Sequence, residues 1–289
     1  LILVVGDLML DIFLLSHLQQ EEQATGLLLR GGGSAANTAA WLASEGQSVT
    51  FVGCVGADSI GTALMHELDG QGVALAVRQV DGAETGAVVV EVQPEERVMR
   101  SSRGANMLLS PADIEAVLVP EVHAVHITGY ALLCESGFEM LRAAGRVAAS
   151  KNALLSFDPS SVGVIDALGR RELESEMLAA GVDILLPNAL EARELSERAN
   201  VEDAVIQLAR RFHQVVVKDG AGGAIYGSDG QAFRVPSTTV VPVDTTGAGD
   251  AFNAAVVRAL REGADIRDAV ASAIALAGVA VSRFGGRPR

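Results

Sequence analysis

The strongest constraint on this chain is an alternation. Six short apolar runs, LILVV (1–5), SVTFVG (48–53), AVHIT (124–128), ALLSF (153–157), VDILL (182–186) and QVVVK (214–218), are separated by longer amphipathic stretches. Each run is bounded by Gly, Pro, Asp or Asn and is short, so each reads as a buried strand. SAANTAAWLASEG (34–46), SIGTALMHELDGQG (59–72) and SGFEMLRAAGRVAAS (136–150) read as helices between them. Strand–helix alternation requires right-handed crossovers, which cover both faces of a parallel sheet with helices. We see no repeat, low-complexity tract or linker, so residues 1–289 are expected to form one domain.

Two segments break the rhythm. DIFLLS (11–16) with LLLR (27–30), and TGAVVVEVQPEERVMRSSR (85–103), alternate in a way that suits half-exposed strands. VVVEV and RVMRS, joined by QPEE, read as a hairpin. These segments predict a small β subdomain, about 12–30 and 84–103, attached to one edge as a lid. The plain alternative is an antiparallel extension of the main sheet.

The net charge is −14. That argues against nucleic acid as a partner, which calls for a basic face. A phosphorylated ligand stays open, because helix termini and a bound cation can reverse the sign locally. Cys54 and Cys134 suit buried thiols in a reducing, cytoplasmic setting. No apolar run reaches the roughly 18 residues that cross a bilayer, and LILVV is too short for a signal core. The first residue is not Met, so the natural terminus is expected upstream, and HLQQEEQATG (17–26) is where loop residues are expected to be missing.

Five stretches have the composition of a site. In DTTGAGDAFNAAVV (244–257) a glycine turn leads into a helix. The first amides of such a helix lack intrahelical partners and carry partial positive charge, which makes an anion site. Asp250 beside Gly247, Ala248 and Gly249 would be a general base next to an oxyanion hole; the alternative is an ordinary N-terminal cap. In RGGGSAANTAAWLA (30–43), glycines allow close backbone approach and Asn37 offers a donor and an acceptor to a polyol; the alternative is a helix-start turn with Asn37 exposed. VVGDLMLDIF (4–13) places Asp7 and Asp11 after a strand end, where open α/β sheets bind ligands; the alternatives are a turn cap and an exposed edge position. In LLPNALEAREL (185–195), Asn188 and Glu191 share a helix face that suits Mg²⁺ through its waters, or else form a capping box. VVVKDGAGGAIY (215–226) either wraps a nucleotide or is a strand–turn–strand.

Other signatures are missing. The chain lacks G-x-x-x-x-G-K-[ST], a G-x-G-x-x-G after its first strand, and G-x-S-x-G. His123 and His126 are three apart in or beside a strand, which puts them on opposite faces and unsuits them to a shared metal.

In their order and context these stretches resemble the pfkB, or ribokinase-like, family of sugar and nucleoside kinases over essentially the whole length. DTTGAGDAFNAA is similar to the family's C-terminal signature, GGSAAN (32–37) to its N-terminal glycine signature and PNALE (187–191) to its Asn-x-x-Glu motif. KDGAGG (218–223) resembles the nucleotide loop, and RGAN (103–106) with LSP (109–111) a segment after the lid. The resemblance implies an α/β/α sandwich with a β lid, and ATP-dependent phosphorylation of a hydroxyl. It makes Asp250 the base and the amides of Gly247, Ala248 and Gly249 the anion hole. Asn188 and Glu191 would organise Mg²⁺ and its waters, and Asn188, Lys218, Gly220 and Gly223 would line the nucleotide site. Asp11, Gly32, Gly33, Asn37 and Arg103 would hold the substrate. Asp244, Thr246, Ala280, Arg283 and Gly285 would supply oxygens to an activating K⁺.

The substrate expected is a free monosaccharide or sugar acid. Met9 stands where ribokinases commonly carry Asn, and Phe13 is the lid's one aromatic, a poor surface for a nucleobase. Arg100 and Arg103 would pair with a sugar carboxylate or phosphate; the alternative is two exposed lid arginines. A nucleoside kinase and a non-catalytic sensor of the same fold are the alternatives, and a Rossmann oxidoreductase is disfavoured by the absent fingerprint. An exposed lid edge would support a homodimer.

Overall fold

The computed structural model describes residues 1–15, 26–92, 97–117, 121–228, 230–238 and 240–288. The QPEE turn and, apart from Gly26, the HLQQEEQATG segment lie outside the described residues. In chain order the strands are β1 (Ile2–Val5), β2 (Met9–Leu15), β3 (Gly26–Gly32), β4 (Val49–Gly56), β5 (Ala74–Val80), β6 (Ala87–Val92), β7 (Arg97–Ser102), β8 (Ala124–Thr128), β9 (Leu154–Asp158), β10 (Ile184–Leu185), β11 (Gln214–Lys218), β12 (Ala224–Ser228) and β13 (Gln231–Val235).

A nine-stranded sheet runs β13-β12-β11-β10-β9-β8-β1-β4-β5. Its pairs are parallel from β11 to β5, and β12 and β13 close one side as an antiparallel ribbon. The six apolar runs are β1, β4 and β8 to β11. Side chains alternate across the strands. Leu3 and Val5 of β1 pack with Leu141, Leu173, Ala192 and Leu208 on one face. Ile2 and Val4 pack with Ala36, Trp41, Leu68, Phe252 and Ile274 on the other. Helices therefore cover both faces, and the architecture is the expected α/β/α sandwich. Small residues dominate the second layer, where the helix Ser34–Ser44 meets the helix Ala248–Arg261 through Ala35, Ala36, Ala39, Ala251, Ala254 and Ala255.

The second sheet, β3-β2-β6-β7, is separate from the first. It is therefore not an extension of the main sheet. Its core is Met9, Phe13, Val88 and Val90, with Leu28 packed against them. Register places Asp11 on that same inner face, since Asp11 pairs with Arg30 and Val88 while Phe13 pairs with Leu28 and Val90. Leu27 and Leu29 are 65% and 54% exposed on the outer face. Arg100 pairs with Val89, which pairs with Ile12, so Arg100 shares the outer face.

From β1 the chain moves outward to β4 and β5, then returns to β8 and builds the other half. The switch in direction lies between β1 and β8. Open α/β sheets bind ligands at the carboxyl ends of strands near such a point. Gly6 and Asp7 follow β1, Asp158 ends β9, Asn188 follows β10 and Lys218 ends β11.

Candidate active site

Gly247 precedes the helix Ala248–Arg261 with φ 73°, in the left-handed region. A Cβ there would lie 2.4 Å from Gly286 Cα, so only glycine fits both the dihedral and the space. Having no side chain, Gly247 makes no side-chain cap, and Asp250 is the third residue of the helix. The Asp250 carboxylate turns across the fold: Ser34 Oγ donates to its Oδ1 at 2.7 Å and Asn37 Nδ2 to its Oδ2 at 2.9 Å. Asp250 is thus not an ordinary cap. Burial pushes its pKa up to about 7, opposed by the hydrogen bonds from Ser34 and Asn37. One expectation is corrected here. The Ala248 amide, expected to be open, donates to the Thr245 carbonyl at 3.3 Å, while Gly247 and Gly249 lie where the helix itself offers no acceptor.

Asn37 is buried and its two polar atoms are both engaged, Nδ2 with Asp250 and Oδ1 with Arg287 Nε at 3.2 Å. It is not the exposed helix residue of the alternative. Gly32 lies against Asp11, since a Cβ at Gly32 would be 2.3 Å from that carboxylate. Gly33, with φ 97°, precedes the helix that carries Ser34 and Asn37.

Asp7 and Asp11 are buried. Burial raises the pKa of both, Asp11 to about 7; Arg103 eases Asp7, Arg287 eases Asp11, and Asp7 and Asp250 press Asp11 further up. The alternative of Asp11 as an exposed edge residue is set aside. Arg103 donates Nη2 to the Tyr130 carbonyl at 2.9 Å and lies 5.3 Å over the Tyr130 ring. Asn106, of the same RGAN stretch, clamps Leu8 by accepting from its amide at 3.1 Å and donating to its carbonyl at 3.2 Å.

Beneath the glycine turn Lys218, expected at the nucleotide site, meets two buried residues that sequence reasoning missed, Asp158 and Asn253. Lys218 Nζ donates to Asp158 Oδ2 at 2.8 Å and to Asn253 Oδ1 at 3.1 Å. Burial pushes Asp158 up, but the Lys218 ammonium together with hydrogen bonds from the Ser160 amide and the Asn253 side chain outweighs it and holds the carboxyl below its ordinary value. Lys218 approaches a Gly249 Cβ position to 3.7 Å, so β11 and the turn meet directly. Gly220 (φ 53°) and Gly223 (φ 86°) bracket the loop after Lys218, closed by the Asp219 amide donating to the Gly223 carbonyl at 2.9 Å.

Asn188 caps the helix Ala189–Ser196. Its Oδ1 accepts from the Leu190 and Glu191 amides at 2.9 and 3.0 Å, and Glu191 Oε2 accepts from the Asn188 amide at 2.8 Å. That is a complete capping box. Glu191 is buried, and burial, with Asp158 nearby, pushes its pKa up to about 7. Among the described residues there is no cluster of three His, Cys, Asp or Glu able to hold a metal ion. The donor set fits Mg²⁺ held through water, since both Glu191 oxygens already serve Asn188. Of the residues expected around K⁺, Asp244 holds Thr246 and Gly285: Oδ1 accepts from the Thr246 amide and hydroxyl, and Oδ2 from the Gly285 amide at 3.0 Å. Ala280 is buried, and Arg283 lies 5.5 Å over the Trp41 ring.

Residues 1–288 match the family described as pfkB family carbohydrate kinase. The chain belongs to the pfkB family. This pfkB kinase is a phosphotransferase acting on an alcohol group. It is 31% identical over 261 residues to an ATP-dependent ribose-1-phosphate kinase from Halopiger xanaduensis, covering 89% of this chain and 82% of that one. An adenosine kinase from Sinorhizobium meliloti superposes with a TM-score of 0.90 at 26% identity, over 99% of this chain and 95% of that one. A protein assigned as ribokinase II from Escherichia coli, solved with ATP and Mg²⁺, superposes with a TM-score of 0.86 at 25% identity, over 99% and 94%. Among the described residues no helix of the kinase is long and apolar enough to cross a membrane. Its residues Ser34, Asp158, Asn253 and Arg287 were not anticipated, because each reaches the site through a partner distant in sequence, although Ser34 and Asn253 lie inside quoted motifs and Asp158 directly follows a quoted strand.

Proposed function

We propose that this pfkB kinase transfers the γ-phosphoryl group of ATP to a hydroxyl of a small free sugar or sugar-derived substrate, with Asp250 as general base. The observation that carries the reading is the orientation of Asp250. Its carboxylate is released from its own helix and held by Ser34 and Asn37 beside the glycine turn. A carboxylate with a pKa near 7 is well matched to taking a hydroxyl proton at neutral pH. The Gly247 and Gly249 amides, at the positive end of the helix, would hold charge on the transferring group. Phosphoryl transfer asks the protein mainly to position groups and neutralise charge.

Asp7 and Asp11 would accept hydrogen bonds from substrate hydroxyls, with Gly32 and Gly33 allowing close approach and Asn37 fixing the base. Three carboxylates in one cleft disfavour an anionic acceptor, and Arg100 lies on the outer face of the second sheet. Arg103 is the remaining support for a sugar acid. A nucleoside is the second reading, favoured by the likeness to the adenosine kinase. Lys218, Gly220 and Gly223, with Asn188, would line the ATP site. Asn188 and Glu191 would orient waters around Mg²⁺, which neutralises phosphate charge when bound. Asp244, Thr246, Ala280, Arg283 and Gly285 would hold K⁺. The second sheet would act as the lid, and exposed Leu27 and Leu29 would join two copies into a homodimer. A cytoplasmic setting fits the nucleotide requirement.

The test is ADP release from Mg-ATP across sugars, sugar acids and nucleosides, with and without K⁺, using Asp250→Asn as the blank. Turnover on one class that is lost in the variant supports the reading and names the acceptor. Equal turnover in the variant removes Asp250 from the role of base.

A further inference from the structure

Arg287 is 5% exposed and lies in none of the stretches that resemble the family. Its chain segment is fixed from several sides. Gly285 donates to Asp244 Oδ2 at 3.0 Å, and the Gly286 carbonyl accepts from Trp41 Nε1 at 2.9 Å. Gly286 itself packs under the glycine turn and against Asn37, where a Cβ would come within 2.4 Å of Nδ2. The guanidinium then reaches inward. Nη2 donates to the Gly32 carbonyl at 2.6 Å, Nε to Asn37 Oδ1 at 3.2 Å, and Nη1 lies 3.5 Å from Glu67 Oε1.

The Nε contact decides which way the Asn37 amide faces. An amide has an acceptor end and a donor end. With Oδ1 against the guanidinium, Nδ2 must face Asp250, as it does. Turning the amide over would set its NH₂ against the guanidinium and its oxygen against the carboxylate. Two charge-assisted hydrogen bonds would be lost and two like contacts made. We propose that Arg287 is a positioning residue that locks the Asn37 amide so that it donates to Asp250, and so holds the carboxylate in its working orientation. This rests on the reading of Asp250 as the base. Arg287 itself is assigned no contact with the reacting atoms.

The first arm of the test needs no acceptor. In ¹⁵N-labelled protein, the Asn37 side-chain amide and the Arg287 Nε–H are assigned by difference with Asn37→Ala and Arg287→Met. Arg287→Met is expected to speed hydrogen exchange of the Asn37 amide at least about tenfold, the scale of one lost charge-assisted bond. Asn37→Ala should likewise expose the Arg287 Nε–H. Unchanged exchange in both directions overturns the proposal. If Arg287→Met fails to fold, by its melting curve, the Asn37→Ala arm decides alone, because it keeps the arginine.

The second arm uses Mg-ATP with whichever acceptor gives the highest turnover. Arg287→Met is expected to lower kcat about 10–100-fold with KM for Mg-ATP within about twofold, a pattern expected when an interaction of the transition state is lost. In the Asn37→Ala background the same change should cause no further loss, since both act through one bond. Arg287→Lys keeps the charge without the fork and should not restore kcat. Additive losses, or full rescue by Lys, mean a merely structural role. Full turnover by Asp250→Asn would instead defeat the base assignment and leave the exchange result standing.

Discussion

Several helices of this molecule carry a carboxylate at the third helical position, and two of them, at the site, use it in opposite ways. At Ala189–Ser196 the capping residue is Asn188, and Glu191 closes a reciprocal box with it. At Ala248–Arg261 the residue before the helix is Gly247, which has no side chain to engage, and Asp250 reaches Ser34 and Asn37 on another helix. Both carboxyls are pushed up to about 7, chiefly by burial. Their electrostatics are alike and their partners are not. Composition at the cap decides whether the carboxylate is consumed locally or offered to the cleft. The direction in which the carboxylate points is thus set one turn earlier than the carboxylate itself.

The largest test of that contrast is Asp250→Asn, which keeps size, turns one of the two acceptor oxygens into a donor and removes the proposed base. A general base contributes about 10²–10⁴-fold, so kcat should fall by at least that, with KM little changed. A steady-state assay on the identified acceptor reads it. The matching change Glu191→Gln should fall far short of that loss.

Next comes Gly247→Ala. The left-handed dihedral costs a Cβ-bearing residue about 1–2 kcal/mol, and the contact with Gly286 adds roughly 1–3 kcal/mol of overpacking. Urea denaturation should show a lower midpoint at unchanged slope, together with a loss of kcat, because the turn and Asp250 move as one. A variant that is less stable yet fully active would separate the turn from the base.

Glu191→Ala should have a smaller effect on the fold. It breaks the box and leaves the Asn188 amide without Oε2, for a loss of about 0.5–2 kcal/mol. If Glu191 also orients waters around the cation, the Mg²⁺ concentration giving half-maximal rate should rise severalfold, with kcat recovering at saturation. An unchanged Mg²⁺ dependence would reduce Glu191 to a structural cap.

The two halves of this contrast were not equally legible in the sequence. PNALE displays its own capping box within four residues, so both its readings could be weighed from spacing alone. DTTGAGDAFNAA displays the glycine turn but not Ser34, which is 216 residues away. The six central strands were legible because a strand buried on both faces is a continuous apolar run. β5 and β13 were not, since they are the edges of the nine-stranded sheet and keep largely exposed or half-exposed side chains. Asp158 and Asn253 read as an unremarkable strand end and helix interior. They become a site only when β9, β11 and the glycine-turn helix converge on Lys218.

The last contrast concerns stability against pH, and its sign separates the groups. Asp250 has a folded pKa of about 7, above its ordinary value of 3.8. The folded state therefore binds that proton more tightly than the unfolded chain. The group's stabilising contribution is complete below about 4 and is lost as pH rises toward 7. Asp11 and Glu191, also raised to about 7, act in the same direction. His126 opposes them, since burial lowers it to about 4 and the folded state loses stability as pH falls below 6.5. Asp250→Asn should flatten the stability curve between pH 4 and 7 by at most about 1.4 kcal/mol per pH unit, one proton's worth. Glu191→Gln should flatten it comparably, since burial raises both. The rate behaves differently: kcat should rise through pH 7 in the wild type as Asp250 loses its proton, and Glu191→Gln should leave that rise in place. Equal flattening of stability with unequal loss of the rate's pH limb is the outcome expected if two similarly titrating carboxylates differ only in where their caps allow them to point.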